Sequence, residues 1–560
     1  MSSQQIGRAG RVLRGVGWAL GCGLAIAGFY DARVLNADFA LPADHPWSVP
    51  ASEQVFYLWY LLLGSFAVIC LAKLLSELGV AARLSRLIVW VSARPAAVIA
   101  LAALAAFAAS VAFRYGVLLR EPITDDEATY RFIAKTLLTG RVTNPVPDDA
   151  EFFENQFIVL NARGWHGKYP IGHPLVLALG EAVSAIDLMM PLCGALCVFL
   201  VFRVGRKLFE PRVALLGALL LVLSPHFVWT CGTLLSQPTL SAVMLAGMLL
   251  VLRAEEDPRW RWPLLAGCAF GFAVLVRPLP GGLFAVVGAL AVARVRLTRL
   301  LAFGAGVLPW LLVFLAVNHA QSGSMFTSGY QEFHSDLRLL YNARGEVVNS
   351  IVGGLLRENF WLLGWTFALP LLVLCRPRRQ WLYWGMLGAE LLYRVIAPKT
   401  VVASTGPIYL TEVVPLLILG VADGLVRLGQ LTPQLRVRPS ELALSAILVG
   451  WCMFEPLPLL AVATGASTRH VVHDELLKAG AERALIFSDS ALYPASAVSW
   501  AVFPDNPSPK LDDDFLFVRV PRSSDPRKQM LEFWRRRFPD RRAFVYAWTR
   551  EGPHFEELIQ

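Results

Sequence analysis

Apolar residues gather into thirteen runs, each near the length that crosses a bilayer. They lie near 14–30, 54–76, 95–114, 188–204, 213–231, 236–252, 263–277, 280–293, 300–318, 358–375, 381–397, 407–426 and 441–463. A spanning helix takes about 20 mostly apolar residues, because lipid offers its backbone no hydrogen bonds. The pair 263–277 and 280–293 is short and split by Arg277-Pro278-Leu279-Pro280, which predicts a broken or tilted hairpin. Three stretches do not fit the pattern: 115–187, 319–356 and 464–560. In the last, short apolar segments near 483–488, 514–520 and 542–548 alternate with helical patterns near 470–480 and 525–538. That alternation predicts a small α/β domain with a mostly parallel sheet. The expected chain is an α-helical polytopic membrane protein with about thirteen transmembrane helices. A two-span extension covers 1–94, a membrane core 95–463 and an extracytoplasmic α/β domain 464–560.

Composition narrows the class. Of 560 residues, 56% are hydrophobic and 17% charged, against about 25% charged in soluble chains. A disordered chain, a disulfide scaffold and an ordinary cytosolic enzyme are excluded. The net charge of +9 does not come from 464–560, where 14 basic residues meet 14 acidic ones. It lies in the short loops 73–94, 203–212, 294–299, 376–379 and 427–438, each at +3. These alternate with 31–53 at −3, 114–170 at −1 and 318–357 at 0. By the positive-inside rule the N-terminus, with Arg8, Arg11 and Arg14, is cytoplasmic. Thirteen spans then put the C-terminal domain outside. Ala25-Ile26-Ala27 leaves a cleaved signal peptide as an alternative for the first run. Charge scattered over loops is no footprint for nucleic acid, so the bilayer is the partner it implies. All eight cysteines fall in or beside apolar runs and read as buried thiols. His166, His173 and His334 lack metal-ligand spacing, so neither a metal nor a cofactor is expected.

Candidate chemistry lies in the outside loops. The first opens with Glu121-Pro122-Ile123-Thr124-Asp125-Asp126-Glu127-Ala128-Thr129-Tyr130. Thr124 and Glu127 have capping-box spacing, and acids suit the first turn of a helix. Tyr130, Ile133, Ala134 and Leu137 give that helix one apolar face, predicting an amphipathic helix at the membrane surface. The same acids at a membrane exit also suit acid–base chemistry. The loop returns through Gly167-Lys168-Tyr169-Pro170-Ile171-Gly172-His173-Pro174. Lys168 there can meet an anionic headgroup or simply snorkel. Arg277, Glu390, Arg394 and Lys399 lie at outer span ends, where ionisable groups are costly and mark sites. The bland reading is an intrahelical Glu390–Arg394 pair with snorkelling ends. The loop 319–356 carries Tyr330, Gln331, Glu332, His334, Asp336 and Tyr341, which suit a sugar or acceptor or are just a polar loop.

Asp126-Glu127-Ala128-x-Tyr130, followed by a Lys-Tyr-Pro-x-Gly-x-Pro return, resembles the first outside loop of the GT-C superfamily. The branch it resembles is glycosyltransferase family 39, with the protein O-mannosyltransferases and the lipid A aminoarabinose transferases. Arg203-Val204-Gly205-Arg206-Lys207-Leu208-Phe209, Leu223-Ser224-Pro225 and Gly271-Phe272-Ala273-Val274-Leu275-Val276-Arg277-Pro278 are similar to segments of that family, and the likeness spans roughly 95–430. It implies a GT-C architecture and an inverting glycosyltransferase in the bacterial cytoplasmic (inner) membrane. Such an enzyme moves a sugar from a polyprenyl-phosphate donor to an envelope glycan, lipid or protein acceptor at the outer face. It implies Asp126 as catalytic base, with Glu127 beside it. Asp125, Tyr130, Lys168, Tyr169, His173, Arg277, Arg394, Lys399 and Tyr409 would bind substrate. The family's G-x-R-Y…P segment corresponds to Gly406-Pro407-Ile408-Tyr409…Pro415, with Ile408 in place of the arginine. Arg394 or Lys399 would supply the missing charge. Two other classes fit the spans. A flippase or transporter of a lipid-linked precursor would explain the intramembrane charges. A non-catalytic envelope scaffold predicts that neutralising Asp126 is silent.

Overall fold

The computed structural model describes residues 3–30, 51–80, Arg83, 93–155, 157–333, 347–398, 405–431, 438–488, 506–549 and 552–559. Helices α1 (Ser3–Phe29) and α2 (Ala51–Glu77) form an antiparallel hairpin at the edge of the core. Next come α3 (Pro95–Ala112), which ends in a π-turn over Phe113–Val117, and α4 (Asp125–Leu138). A short hairpin, β1 (Ile158–Asn161) and β2 (Gly164–Gly167), precedes α5 (Gly172–Glu181). The membrane core continues with α6 (Met189–Leu208), α7 (Pro211–Val222), α8 (Pro225–Thr230), α9 (Gln237–Glu256), α10 (Arg261–Val276), α11 (Pro278–Val295) and α12 (Arg299–Ser322). After α13 (Gly329–Phe333) follow α14 (Gly354–Trp361), α15 (Gln380–Ile396), α16 (Val414–Leu431), α17 (Pro439–Val449) and α18 (Pro456–Lys478).

Among the described residues, eight helices are long and apolar enough to cross a membrane, and the bent pair α17–α18 makes a ninth. Four of the thirteen runs depart from a simple span. Run 213–231 breaks at Pro225 into α7 and α8, and 358–375 splits into α14 and a 3-10 turn at Leu369–Leu374. Helices α10 and α15 have 16 and 17 residues. Proline explains the first break, since it removes an amide and clashes with the preceding turn. The expected hairpin at 277–280 exists as the sharp α10–α11 junction. Helices α10 and α12 approach closely: a Cβ on Gly267 would lie 2.0 Å from the Phe303 carbonyl oxygen. Small residues at membrane helix contacts permit such packing.

The C-terminal region is a four-stranded sheet in the order β4-β3-β5-β6, from β3 (Ala484–Ser488), β4 (Phe515–Arg519), β5 (Arg542–Thr549) and β6 (Gly552–Glu557). Strand β3 pairs in parallel with β4 and β5, while β6 is antiparallel. Helix α19 (Pro526–Arg537) covers one face of the sheet. The other face packs on Val472 and Leu476, at the end of α18. A boundary at 464 therefore falls inside one continuous helix. Helix α4 also differs from the surface helix that its pattern predicts. Phe132, Ile133 and Ala134 are buried in an apolar core that α4 shares with Leu485, Phe487 and Phe533 of the C-terminal region. The apolar face of α4 meets protein instead of lipid.

Candidate active site

Consecutive helix residues point about 100° apart, so the three acids that open α4 meet three different environments. Thr124 caps the helix, its Oγ1 accepting from the Glu127 amide at 3.4 Å. Glu127 is fully buried. Its Oε1 accepts from the Ile123 amide at 2.9 Å and its Oε2 from the Leu234 amide at 2.8 Å. Arg114 lies 3.9 Å away. Burial pushes the Glu127 carboxyl up, against the pull of Arg114 and the two amides. Glu127 thus fastens α4 to the turn before α9, and it does not line the cleft described below. The expected catalytic place for Glu127 is not where its side chain lies. Asp125 faces a third way, 3.8 Å from Arg469, with its carboxyl raised by burial.

Asp126 faces a cleft of about 230 Å³. Tyr130, Lys168, Tyr169, Arg277 and Tyr409 line it too, as do Gln237, Tyr330, Gln331 and Tyr393. The Tyr169 hydroxyl donates to Asp126 Oδ1. Tyr130, one turn along α4, shares a 3.1 Å hydrogen bond with Ser236 and sets its ring 4.6 Å from that of Tyr169, tilted by 39°. Lys168 is 5% exposed, its ammonium 3.3 Å from the centre of the Phe157 ring and 4.7 Å from that of Phe333. Phe157 holds a left-handed backbone, φ 66°, that places this ring under the lysine.

Another part of the wall comes from Arg277, Tyr393, Ala397, Ile408 and Tyr409. Arg277 donates to Glu412 and, at 3.2 Å, to the Tyr393 hydroxyl. Tyr409 lies between two guanidinium groups, 5.6 Å from Arg277 and 5.5 Å from Arg394. Arg394 does not line the cleft itself. It sits behind Tyr409, 4.0 Å from Glu390 and 3.3 Å from Ser350 Oγ. His173 lies off the cleft as well. It is fully buried, bonded to Thr239 Oγ1 at 3.0 Å and to the Leu234 carbonyl at 2.8 Å. Burial drives its pKa down to about 4, so it is a neutral brace under Tyr130. Lys399, His334, Asp336 and Tyr341 lie outside the described residues. Glu332 turns from the cleft to Asn161, at 3.0 Å. Among the described residues no group of three or more His, Cys, Asp or Glu is placed to hold a metal ion.

Glu412 and Gln237 carry no expectation from sequence. An acid within the apolar run 407–426 was a usable signal, since a buried carboxylate needs a cation. Gln237, 4% exposed, is part of the cleft wall, and its buried Oε1 has no hydrogen-bond partner among the described residues.

The fold has relatives. Residues 170–318 match the family described as dolichyl-phosphate-mannose-protein mannosyltransferase. The structure of ArnT from Cupriavidus metallidurans bound to undecaprenyl phosphate superposes with a TM-score of 0.51 at 15% identity, over 80% of this chain and 92% of that one. The chain has the GT-C fold. The apo form of the same ArnT gives a TM-score of 0.50. AglB from Archaeoglobus fulgidus, solved with an inhibitory peptide and a dolichol-phosphate, gives 0.35 at 14% identity, over 66% of this chain and 55% of that one. No curated protein matches by sequence. Within this GT-C chain the matched segment 170–318 includes Arg277, and Asp126 precedes it.

Proposed function

We propose that this protein is an inverting glycosyltransferase that takes a sugar from a polyprenyl-phosphate donor at the outer face of a bacterial cytoplasmic membrane. The acceptor is an envelope glycan, lipid or protein. One observation carries the reading: a carboxylate, Asp126, and two cations, Lys168 and Arg277, line one cleft whose remaining wall includes apolar Pro278, Leu279 and Phe314. The fold match to an ArnT solved with undecaprenyl phosphate supports a lipid phosphate as the anion.

The chemistry follows from the groups present. An acceptor hydroxyl attacks the anomeric carbon, and Asp126 takes its proton. Tyr169 orients the carboxylate through its hydroxyl. The bond from the anomeric carbon to the phosphate oxygen breaks as the new one forms, so configuration inverts. The leaving group is a stable phosphate monoester anion. It needs cations more than a general acid, and Lys168 and Arg277 are the cations that face it. Pro278, Leu279 and Phe314 suit the first isoprene units. Gln237 Oε1 suits a sugar hydroxyl, because a buried acceptor gains when a ligand donates to it.

The test compares envelope lipids and glycans by mass spectrometry. Cells lacking the gene are compared with cells carrying wild type or Asp126→Asn at equal expression. The reading expects one sugar mass to vanish from an acceptor in the null and in Asp126→Asn, and to return with wild type. Normal glycosylation with Asp126→Asn would refute it.

A further inference from the structure

We propose that Arg469 is a positioning residue for the acidic loop. Through it, α18 and the sheet beyond hold the Pro122–Asp126 segment, and so fix the direction of the Asp126 carboxylate. The proposal rests on the transferase reading for what Asp126 does.

Helix α18 has 23 residues, roughly 34 Å at 1.5 Å per residue. Its first half is apolar, and its last turns carry Val472 and Leu476 into the core of the C-terminal sheet. Arg469 lies between these parts and is 1% exposed. Its guanidinium donates to the Pro122 carbonyl and lies 3.8 Å from Asp125 Oδ1. A buried guanidinium is costly unless neighbouring acceptors compensate it. Here those acceptors are the carbonyl and carboxylate that flank the start of α4.

Further contacts from the C-terminal part reach the turn before α4 and the helix itself. His470 Nδ1 is 3.0 Å from Glu121 Oε1, and Asn506 Nδ2 is 3.4 Å from Thr129 Oγ1. Asp125 and Thr129 are four apart on α4 and so share a face, while Glu121 lies in the turn that leads into the helix. The cleft face carries Asp126 and Tyr130, also four apart. Glu127 binds the Leu234 amide on a third face. Rotating α4 by one residue position, about 100°, would replace Asp126 in the cleft by a neighbour. Glu127 restrains that rotation from the membrane core. Arg469 restrains it from the far end of the chain. Rigid support of this kind separates a productive carboxylate from one that is merely present.

The test uses the full-length protein in lipid nanodiscs, as wild type and Arg469→Ala. Hydrogen exchange is followed peptide by peptide. Turnover is measured with undecaprenyl-phosphate-linked sugars, and affinity with undecaprenyl phosphate alone. The expected result is faster exchange confined to about residues 120–130 and a kcat lower by about 10²-fold, with carrier affinity within about twofold of wild type. Unchanged exchange at 120–130 overturns the proposal. So does local loosening with wild-type kcat. Loosening of the whole chain, with carrier binding lost in parallel, also overturns it, since that is a plain folding role. If Arg469→Ala does not fold, Arg469→Lys replaces it, keeping the charge and losing the fork. If wild type neither binds the carrier nor turns over any donor, the transferase reading fails, while the exchange experiment still decides whether Arg469 anchors the loop.

Discussion

On the acidic-loop side of the cleft, Glu127, Arg114 and the neutral His173 are each tied to backbone, although Arg114 is also paired with Asp187 at 2.8 Å. On the side of Arg277 and Arg394, the charged groups are tied to other side chains. Glu127 accepts from two amides, Arg114 donates to the Glu121 carbonyl at 2.9 Å, and His173 holds the Leu234 carbonyl. By contrast, Arg277 is paired with Glu412 and Arg394 with Glu390, with Tyr409 between the guanidiniums. A backbone anchor stays in place when a neighbouring side chain changes. A buried ion pair does not, because removing one partner leaves a bare charge in low dielectric. The first wall can therefore lose the Asp126 carboxylate and keep its shape. The second cannot lose a cation without losing structure.

The largest expected effect tests the first half of that contrast. Asp126→Asn should lower turnover by about 10²–10⁴-fold, the range for loss of a general base. Its melting temperature and its affinity for undecaprenyl phosphate should stay at wild type. A large fall in melting temperature would show that Asp126 is structural and that the two walls are alike.

On the other wall, Arg277→Met should cost about 3–5 kcal/mol of stability by stranding the Glu412 carboxylate. The double substitution Arg277→Met/Glu412→Leu should recover most of that cost, since similar apolar volume replaces the pair. Carrier binding should stay weak in both, because the cation is gone. Denaturation in nanodiscs reads the first effect, and carrier titration the second. Recovery of carrier binding in the double variant would remove Arg277 from the phosphate site.

The contrast also explains what could be read from sequence. Long apolar runs announce spans by themselves, and eight to nine of the thirteen are spans by length and composition. Of the other four, two are unbroken but short helices and two are interrupted, one of them at Pro225, so the apolar signal outlasts the regular helix there. The Asp125-Asp126-Glu127 cluster marked the acidic wall. Which acid faces the cleft depends on the rotational phase of α4 against Leu234 and Arg469, and neither partner is near in sequence. On the other wall, Arg277 and Arg394 stood out as charges in apolar runs. Glu412 escaped notice although the same cost argument applied to it. Arg469 was hidden because the residues around it read as a separate soluble domain, whereas they continue a membrane helix.

His173 gives a pH-dependent test of the backbone-anchored wall. Its pKa falls from 6.5 in the unfolded chain to about 4 when folded, because burial disfavours the charged ring. Between those values the unfolded state binds the extra proton. Stability is therefore intact above about pH 6.5 and is lost as pH falls toward 4, by about 3 kcal/mol. The unfolding free energy measured across that range should lose this slope in His173→Gln. An unchanged slope would mean that another group titrates there. Glu127→Gln comes next, at about 1–3 kcal/mol, because an amide nitrogen would face one of two backbone donors. Its melting temperature should fall, whereas that of Asp126→Asn, one residue away, should not.

The smallest expected effect lies where the C-terminal region meets the loop that carries Asp148 and Asp149. Arg536 reaches Asp149 at 2.5 Å and Arg537 reaches Asp148 at 2.9 Å. These distances are shorter than the 3.8 Å from Arg469 to Asp125. Distance alone would rank the two shorter pairs as the stronger anchors. Exposure reverses the ranking. The Arg536 side chain is 61% exposed and Asp148 79% exposed, against 1% for Arg469. Water and salt screen the exposed pairs, and ordering two long side chains offsets much of the remaining attraction. The double substitution Arg536→Ala/Arg537→Ala should therefore change stability by less than about 1 kcal/mol and leave kcat unaltered. Raising the salt concentration should shrink even that difference. A kcat loss matching that of Arg469→Ala would show that docking of the whole C-terminal region orients Asp126, with no special part for the buried arginine.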